Sequence, residues 1–143
     1  MRIPTAFLLA ALTVAALSAS GMAGDTPGPD GAEVYFIGLA DGDTVKSPLT
    51  VRFGLAGMGV APAGIGKDRT GHHHLFVDAE LQPDEIDDAI VADDNHRHFG
   101  GGQTEVSIEL APGRHTLQLV LGDMNHIPHN PPVASPVITV TVE

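Results

Sequence analysis

Cysteine is absent from this 143-residue chain, and so is tryptophan. Without Cys there is no disulfide to hold the core and no thiolate nucleophile. Blue-copper, iron–sulfur and cysteine-type zinc sites are excluded on the same ground. Aromatic side chains are few, five Phe and one Tyr, so the anchors that usually carry protein or glycan recognition are scarce. Basic residues are also few: 7 Lys and Arg stand against 18 Asp and Glu, for a formal net charge of −11. Nucleic acids and anionic membrane surfaces carry negative charge themselves, so neither is an expected partner. The same balance suits attraction of cations, and it also suits the plain solubility of an exported protein. No His-Glu-x-x-His, Gly-x-Ser-x-Gly or calcium-loop spacing occurs, which removes the commonest hydrolase and calcium signatures.

Long apolar runs are missing too, with one exception at the start. Arg2 is followed by the apolar stretch Ala6–Leu17 and then by small residues from Ser18 to Gly24. That order is the three-part pattern of a secretory signal peptide, with a cut expected after Ala23 or, alternatively, after Ala19. The run is too short for a comfortable membrane span, and nothing later approaches the roughly 18 uninterrupted apolar residues that a span needs. No Cys follows the leader, so a lipoprotein anchor is excluded. The expected organisation is a signal peptide over 1–23, a flexible Pro/Gly/Asp-rich arm over 24–32, and one β domain over 33–143. The expected location is the periplasm or the extracellular space.

The remaining chain reads as short strands between turn-rich segments. Leu49–Leu55 places Leu49, Val51, Phe53 and Leu55 on alternate positions, a period of two that buries one face. Glu105–Leu110, Arg114–Leu121 and Val137–Val142 alternate in the same way, Glu33–Leu39 is β-rich, and His74–Val77 is a short apolar run. Asp41-Gly42-Asp43 has turn chemistry. Only Gln82–Val91 could hold a short helix, with Pro83 near its start. Six or seven short strands without a long helical pattern predict an all-β fold, a small antiparallel immunoglobulin-like β-sandwich. Its connections Gly54–Gly71, Ala79–Thr104 and Gly122–Pro136 are long, and long connections in compact domains are often functional.

Histidine is what the chain has in excess: eight residues. Seven fall in three clusters: His72, His73 and His74; His96 and His98; His126 and His129. A transition metal needs three or four donors converging on one point, at about 2.0–2.1 Å for imidazole nitrogen. Strand residues at i and i+2 point the same way, so His72 with His74, and His96 with His98, can each supply a pair. His126-Ile-Pro-His129 offers a third, with Pro128 restricting the backbone. The candidate ligands are therefore His72, His74, His96, His98, His126 and His129. His73 is a further candidate, because Leu75–Val77 reads as buried on both faces and leaves the phase of the triplet open. Met124 is another; its thioether would bias the site toward reduced copper, although a core-filling role is common for Met. Asp94 and Asn95 are candidate partners that orient the rings. His115 reads as structural. Arg97 with Gly100–Gly102 could cradle an anion through backbone N–H groups, or could form a loop that needs positive φ.

Taken together, Gly71-His72-His73-His74-Leu75, the run Asp94–Thr104 and the run Gly122–His129 resemble the bacterial family catalogued as domain of unknown function 4399. The resemblance extends from about Glu33 to Val142, and it implies an exported envelope protein. Asp41-Gly42-Asp43-Thr44-Val45 also resembles the turn after the first strand of small exported copper-carrier sandwiches. The expected function is binding of a copper or zinc ion for carriage, buffering or sensing, with another envelope protein as a further partner. Two other readings stay open: an adhesive or scaffolding sandwich that binds a protein or glycan through its His-rich loops, and a small metalloenzyme using Asp78, Asp93, Asp94 or Asp123.

Overall fold

A computed structural model of the chain describes residues 26–143. The expected signal peptide, residues 1–23, lies outside the described residues. Nine strands form among the described residues, the longer ones where alternating apolar residues let one side be buried. In order these are β1 (Glu33–Phe36), β2 (Thr44–Val45), β3 (Leu49–Ala56), β4 (Gly59–Val60), β5 (Thr70–Val77), β6 (His96–His98), β7 (Glu105–Ile108), β8 (Gly113–Gly122) and β9 (Ile138–Val142). There is no helix among the described residues, so the fold is all-β. The helix expected over Gln82–Val91 is therefore a correction. The segment holds isolated turns instead, with Glu85 N–H donating to Gln82 O at 3.0 Å and Asp88 N–H to Glu85 O at 3.1 Å. Asp84, Glu85, Asp87 and Asp88 would repel one another at the helical spacings of three and four.

The strands form two sheets. One has three strands in the order β1-β3-β7, paired antiparallel. The other has the order β2-β9-β8-β5-β4, with β6 also paired to β5. This second sheet is mixed rather than purely antiparallel, because β2 runs parallel to β9 and β4 parallel to β5. Both parallel pairings are two residues long and lie at the two ends of the strand order. Leu75 and Val77 of β5, Leu117, Leu119 and Leu121 of β8, and Val140 of β9 join Val51 and Phe53 of β3 in one hydrophobic cluster. Each such burial contributes about 1.5–3 kcal/mol. The cluster draws on both sheets and replaces the covalent support that the missing cysteines would have given.

Strand β5 positions the site, and it does so because both of its faces are buried. His73, Leu75 and Val77 point into the cluster, and the His73 ring lies 5.1 Å from the ring of Phe53, centroid to centroid. His72, His74 and Phe76 point to the opposite face. The register places Gly122, Val120 and Gln118 of β8 beside these three, and His98 and His96 of β6 beside His74 and Phe76. That outer face is roofed in two places. Leu81 N–H donates to the Gln118 side chain at 2.8 Å, and Ile90 N–H donates to His126 O at 2.9 Å. Most histidines lie on strands, His72–His74 in β5, His96 and His98 in β6 and His115 in β8, so the long connections are less His-rich than expected. Within the 24–32 stretch expected as an arm, Gly28 N–H donates to Asn130 O and Asn130 N–H to Thr26 O, both at 2.9 Å.

Candidate metal centre

The floor of the centre is the outer face of β5. His72 and His74 are two residues apart on an extended strand and so point the same way. Their rings lie 4.7 Å apart between centroids, and both residues are 0 % exposed. The short strand β6 pairs with β5 in a register that sets His98 opposite His74. The His98 ring lies 5.0 Å from His72 and 5.2 Å from His74. The fourth ring comes from the turn that follows β8. His126 Nδ1 approaches His72 Nε2 to 3.1 Å, and its ring centroid is 4.7 Å from that of His98. One ring nitrogen from each of His72, His74, His98 and His126 lies within 4.8 Å of the other three. Four nitrogens around a tetrahedral ion would be about 3.3 Å apart, so the rings need only a modest contraction to close on one.

Glycines make room for these rings. A Cβ on Gly122 would lie 2.6 Å from His74 Cε1, closer than real Cβ contacts. A Cβ on Gly100 would strike the His98 ring in the same way. The Gly100–Gly102 run therefore has a packing reason beyond loop flexibility. Two of its N–H groups are engaged within the loop, Gly101 with the Gln103 side chain at 3.0 Å and Gly102 with Phe99 O at 3.2 Å.

Burial keeps the His72 and His74 imidazoles uncharged. His74 is pushed down to about 3, first by desolvation and then by the proximity of the His72, His98 and His126 rings. His72 is pushed down to about 4, again first by desolvation, then by His98 and His126. His98 is lowered by desolvation and by His126. Neutral imidazole offers the lone pair that a metal needs. The hydrogen bonding points the same way. His72 Nδ1 and both ring nitrogens of His74 are buried with no hydrogen-bond partner. Each orphaned buried polar atom costs about 1–3 kcal/mol. Imidazole nitrogens facing one another across a gap of this width fit a coordinated cation.

The other sequence candidates lie elsewhere. His96 shares the outward direction of His98 but sits two register pairs further along, opposite Phe76. Its ring packs edge-on against Phe76 at 4.5 Å, and its Nδ1 is 2.8 Å from Asp93 Oδ1. His129 is buried, with Nδ1 3.2 Å from Leu121 O and Nε2 3.3 Å from Thr70 O. His73 faces the hydrophobic cluster, where desolvation lowers it to about 4. Met124 is 42 % exposed, and its sulfur lies 2.8 Å from where a Cβ on Gly66 would be. Asp94 is exposed, and Asn95 is engaged with the backbone, its Nδ2 donating to Val77 O at 2.7 Å.

Asp123, expected only as an acid for a metalloenzyme, has a different place here. Asp123 is 3 % exposed and lies at the start of the turn that carries His126. Its Oδ1 accepts from the N–H groups of Asn125 at 2.8 Å and Ile127 at 3.0 Å. Asp followed two residues later by Asn, directly after a strand, is a turn signature that could have marked it. Comparison with known proteins bears on the whole of this region. No curated protein and no solved structure matches the chain. A family model described as a domain of unknown function, DUF4399, matches residues 51–143, a span that holds all eight histidines, and the chain belongs to that family.

Proposed function

We propose that this chain is an exported metal-binding protein that holds one copper or zinc ion between His72, His74, His98 and His126. The observation that carries the reading is that one ring nitrogen from each of these four residues lies within 4.8 Å of the other three, with three buried ring nitrogens of His72 and His74 unpartnered at that point. A fold does not normally keep such atoms unless something else satisfies them. The donor set is all imidazole, which suits zinc and divalent copper. Met124 lies outside it, so the argument for reduced copper loses its thioether.

The four rings are unequally covered: His72 and His74 are buried, His126 is half-buried and His98 is exposed. An ion bound there would be reachable from the His98 side. That accessibility suits carriage or buffering, with delivery to another envelope protein, better than a sealed structural ion. The leader pattern before Ala23 supports a periplasmic or secreted location, and the acidic surface favours approach of cations. The two sheets sharing one core support a sandwich of immunoglobulin-like type.

The test is metal titration of the tag-free exported chain, comparing His98→Ala with His96→Ala. Both histidines lie on the same three-residue strand, so the pair separates ligation from local disruption. Wild type should bind one equivalent of zinc or divalent copper. His98→Ala should lose more than the 10–100-fold typical of an outer partner, and His96→Ala should stay within about threefold. Equal losses in both variants, or substoichiometric binding by wild type, would overturn the reading.

A further inference from the structure

Of the four histidines in the set, His126 is the one that no strand supplies. It has φ 68°, in the left-handed region that non-glycine residues rarely enter. Holding a residue there costs about 1–3 kcal/mol unless the surroundings over-determine it. The surroundings converge on Asp123. Its backbone N–H donates to Ile127 O at 2.8 Å, and its carbonyl accepts from His126 N–H at 3.0 Å. Its Oδ1 accepts from Asn125 and Ile127, and its Oδ2 accepts from Thr26 Oγ1 at 2.6 Å. Five hydrogen bonds thus tie residues 123–127 into a closed turn and fasten it to Thr26. Gly122, just before it, cannot carry a side chain without striking His74.

We infer that Asp123 is a positioning residue: its side chain holds the 123–127 turn in the conformation that brings the His126 ring over His72, and so completes the four-histidine set. The inference rests on the metal reading for its purpose, but the placement of His126 can be tested without metal. Asp123→Asn keeps an acceptor oxygen for the two N–H groups, and its amide can donate to the Thr26 hydroxyl. Asp123→Ala removes every side-chain bond.

The experiment measures zinc affinity by chelator competition and ring-to-ring contacts by NMR, on the tag-free exported chain and its variants. Asp123→Ala should weaken zinc by about 10–100-fold, and Asp123→Asn should stay within about threefold. In a His126→Ala background, Asp123→Ala should cost nothing further, because the ligand it positions is already gone. A full Asp123→Ala loss in that background would show a merely structural role and overturn the inference. So would unchanged zinc affinity in Asp123→Ala. If wild type binds neither zinc nor copper, the metal reading fails by itself. Asp123 is then judged on the metal-free NMR contact between the His126 and His72 rings. That contact should be present in wild type and Asp123→Asn and lost in Asp123→Ala; its persistence in Asp123→Ala overturns the inference.

Discussion

Two groups of histidines in this molecule obey opposite rules. His115 has both ring nitrogens occupied, Nδ1 2.8 Å from Asp78 Oδ2 and Nε2 2.8 Å from Ala111 O. His129 likewise has a backbone carbonyl near each nitrogen. These rings act as struts that join one segment to another. His72 and His74 are more deeply buried than His115, yet three of their four nitrogens have no partner. Burial alone does not separate the groups, since His129 is as buried as His72. What separates them is whether the fold completes the hydrogen bonding by itself. A buried polar atom left open is a cost that native folds avoid. His73 leaves both ring nitrogens open too, but its ring faces Phe53 and the hydrophobic cluster. The set that asks for a ligand is therefore the one in which open nitrogens of several rings converge, at His72 and His74 with His98 and His126.

The strongest way to break this contrast is to add the metal. An ion that binds the folded chain and not the unfolded one stabilises it by about 4 kcal/mol at a free concentration 1,000 times Kd. For a domain of this size that corresponds to a rise of roughly 10–20 °C in unfolding temperature. The rise should vanish in His72→Ala/His74→Ala and persist in His115→Ala. Differential scanning calorimetry with and without zinc measures it. A rise of equal size in the double variant would place the ion elsewhere.

The next effect has the opposite sign in the two groups. Without metal, His74→Leu removes two orphaned nitrogens and keeps an apolar side chain of similar bulk. The metal-free protein should become more stable by about 1–2 kcal/mol, because an unmet desolvation cost disappears. His115→Leu should instead lose stability, since it breaks two satisfied contacts. Urea unfolding of the two variants in the presence of a chelator checks both signs. Destabilisation by His74→Leu would mean that its ring is already satisfied.

Much of this was legible in the residues. The alternation of Leu49, Val51 and Phe53, and of Leu117, Leu119 and Leu121, marked strands whose apolar sides do join the core. The match of residues 51–143 to the family agrees with the motifs around the three histidine clusters. The i, i+2 rule correctly set His72 and His74 on one side. It could not say that His96, though pointing the same way as His98, would sit beside Phe76, because reach depends on the register of β6 against β5. Nor could it show that His126 and His129, three residues apart, would part company. That depends on a left-handed backbone at His126, set by hydrogen bonds to Asp123. The helix expected over 82–91 does not form, because repulsion among Asp84, Glu85, Asp87 and Asp88 outweighs Pro83 and the favourable end charges.

The smallest predicted effect sharpens the contrast from the strut side. The Asp78 hydrogen bond, followed by the Ala111 carbonyl, raises the His115 pKa above its ordinary value near 6.5. A group whose pKa is higher folded than unfolded adds stability while it is protonated. That contribution is fully present below about 6.5 and is lost as pH rises through the raised value. Asp78 is nearly half exposed, so water screens the pair and the effect stays under about 1 kcal/mol. Asp78→Asn should flatten this part of the stability profile, as read from urea midpoints between pH 5 and 8 with chelator present. His74, pushed down to about 3, acts with the opposite sign and at lower pH: the unfolded chain takes up a proton near 6.5 that the folded ring refuses, so its contribution rises with pH up to about 6.5 and is flat above. The His115 step is therefore read as the fall in stability above about pH 6.5. A slope that survives Asp78→Asn unchanged would show that another group carries it, and His115 would lose its place as the titrating strut.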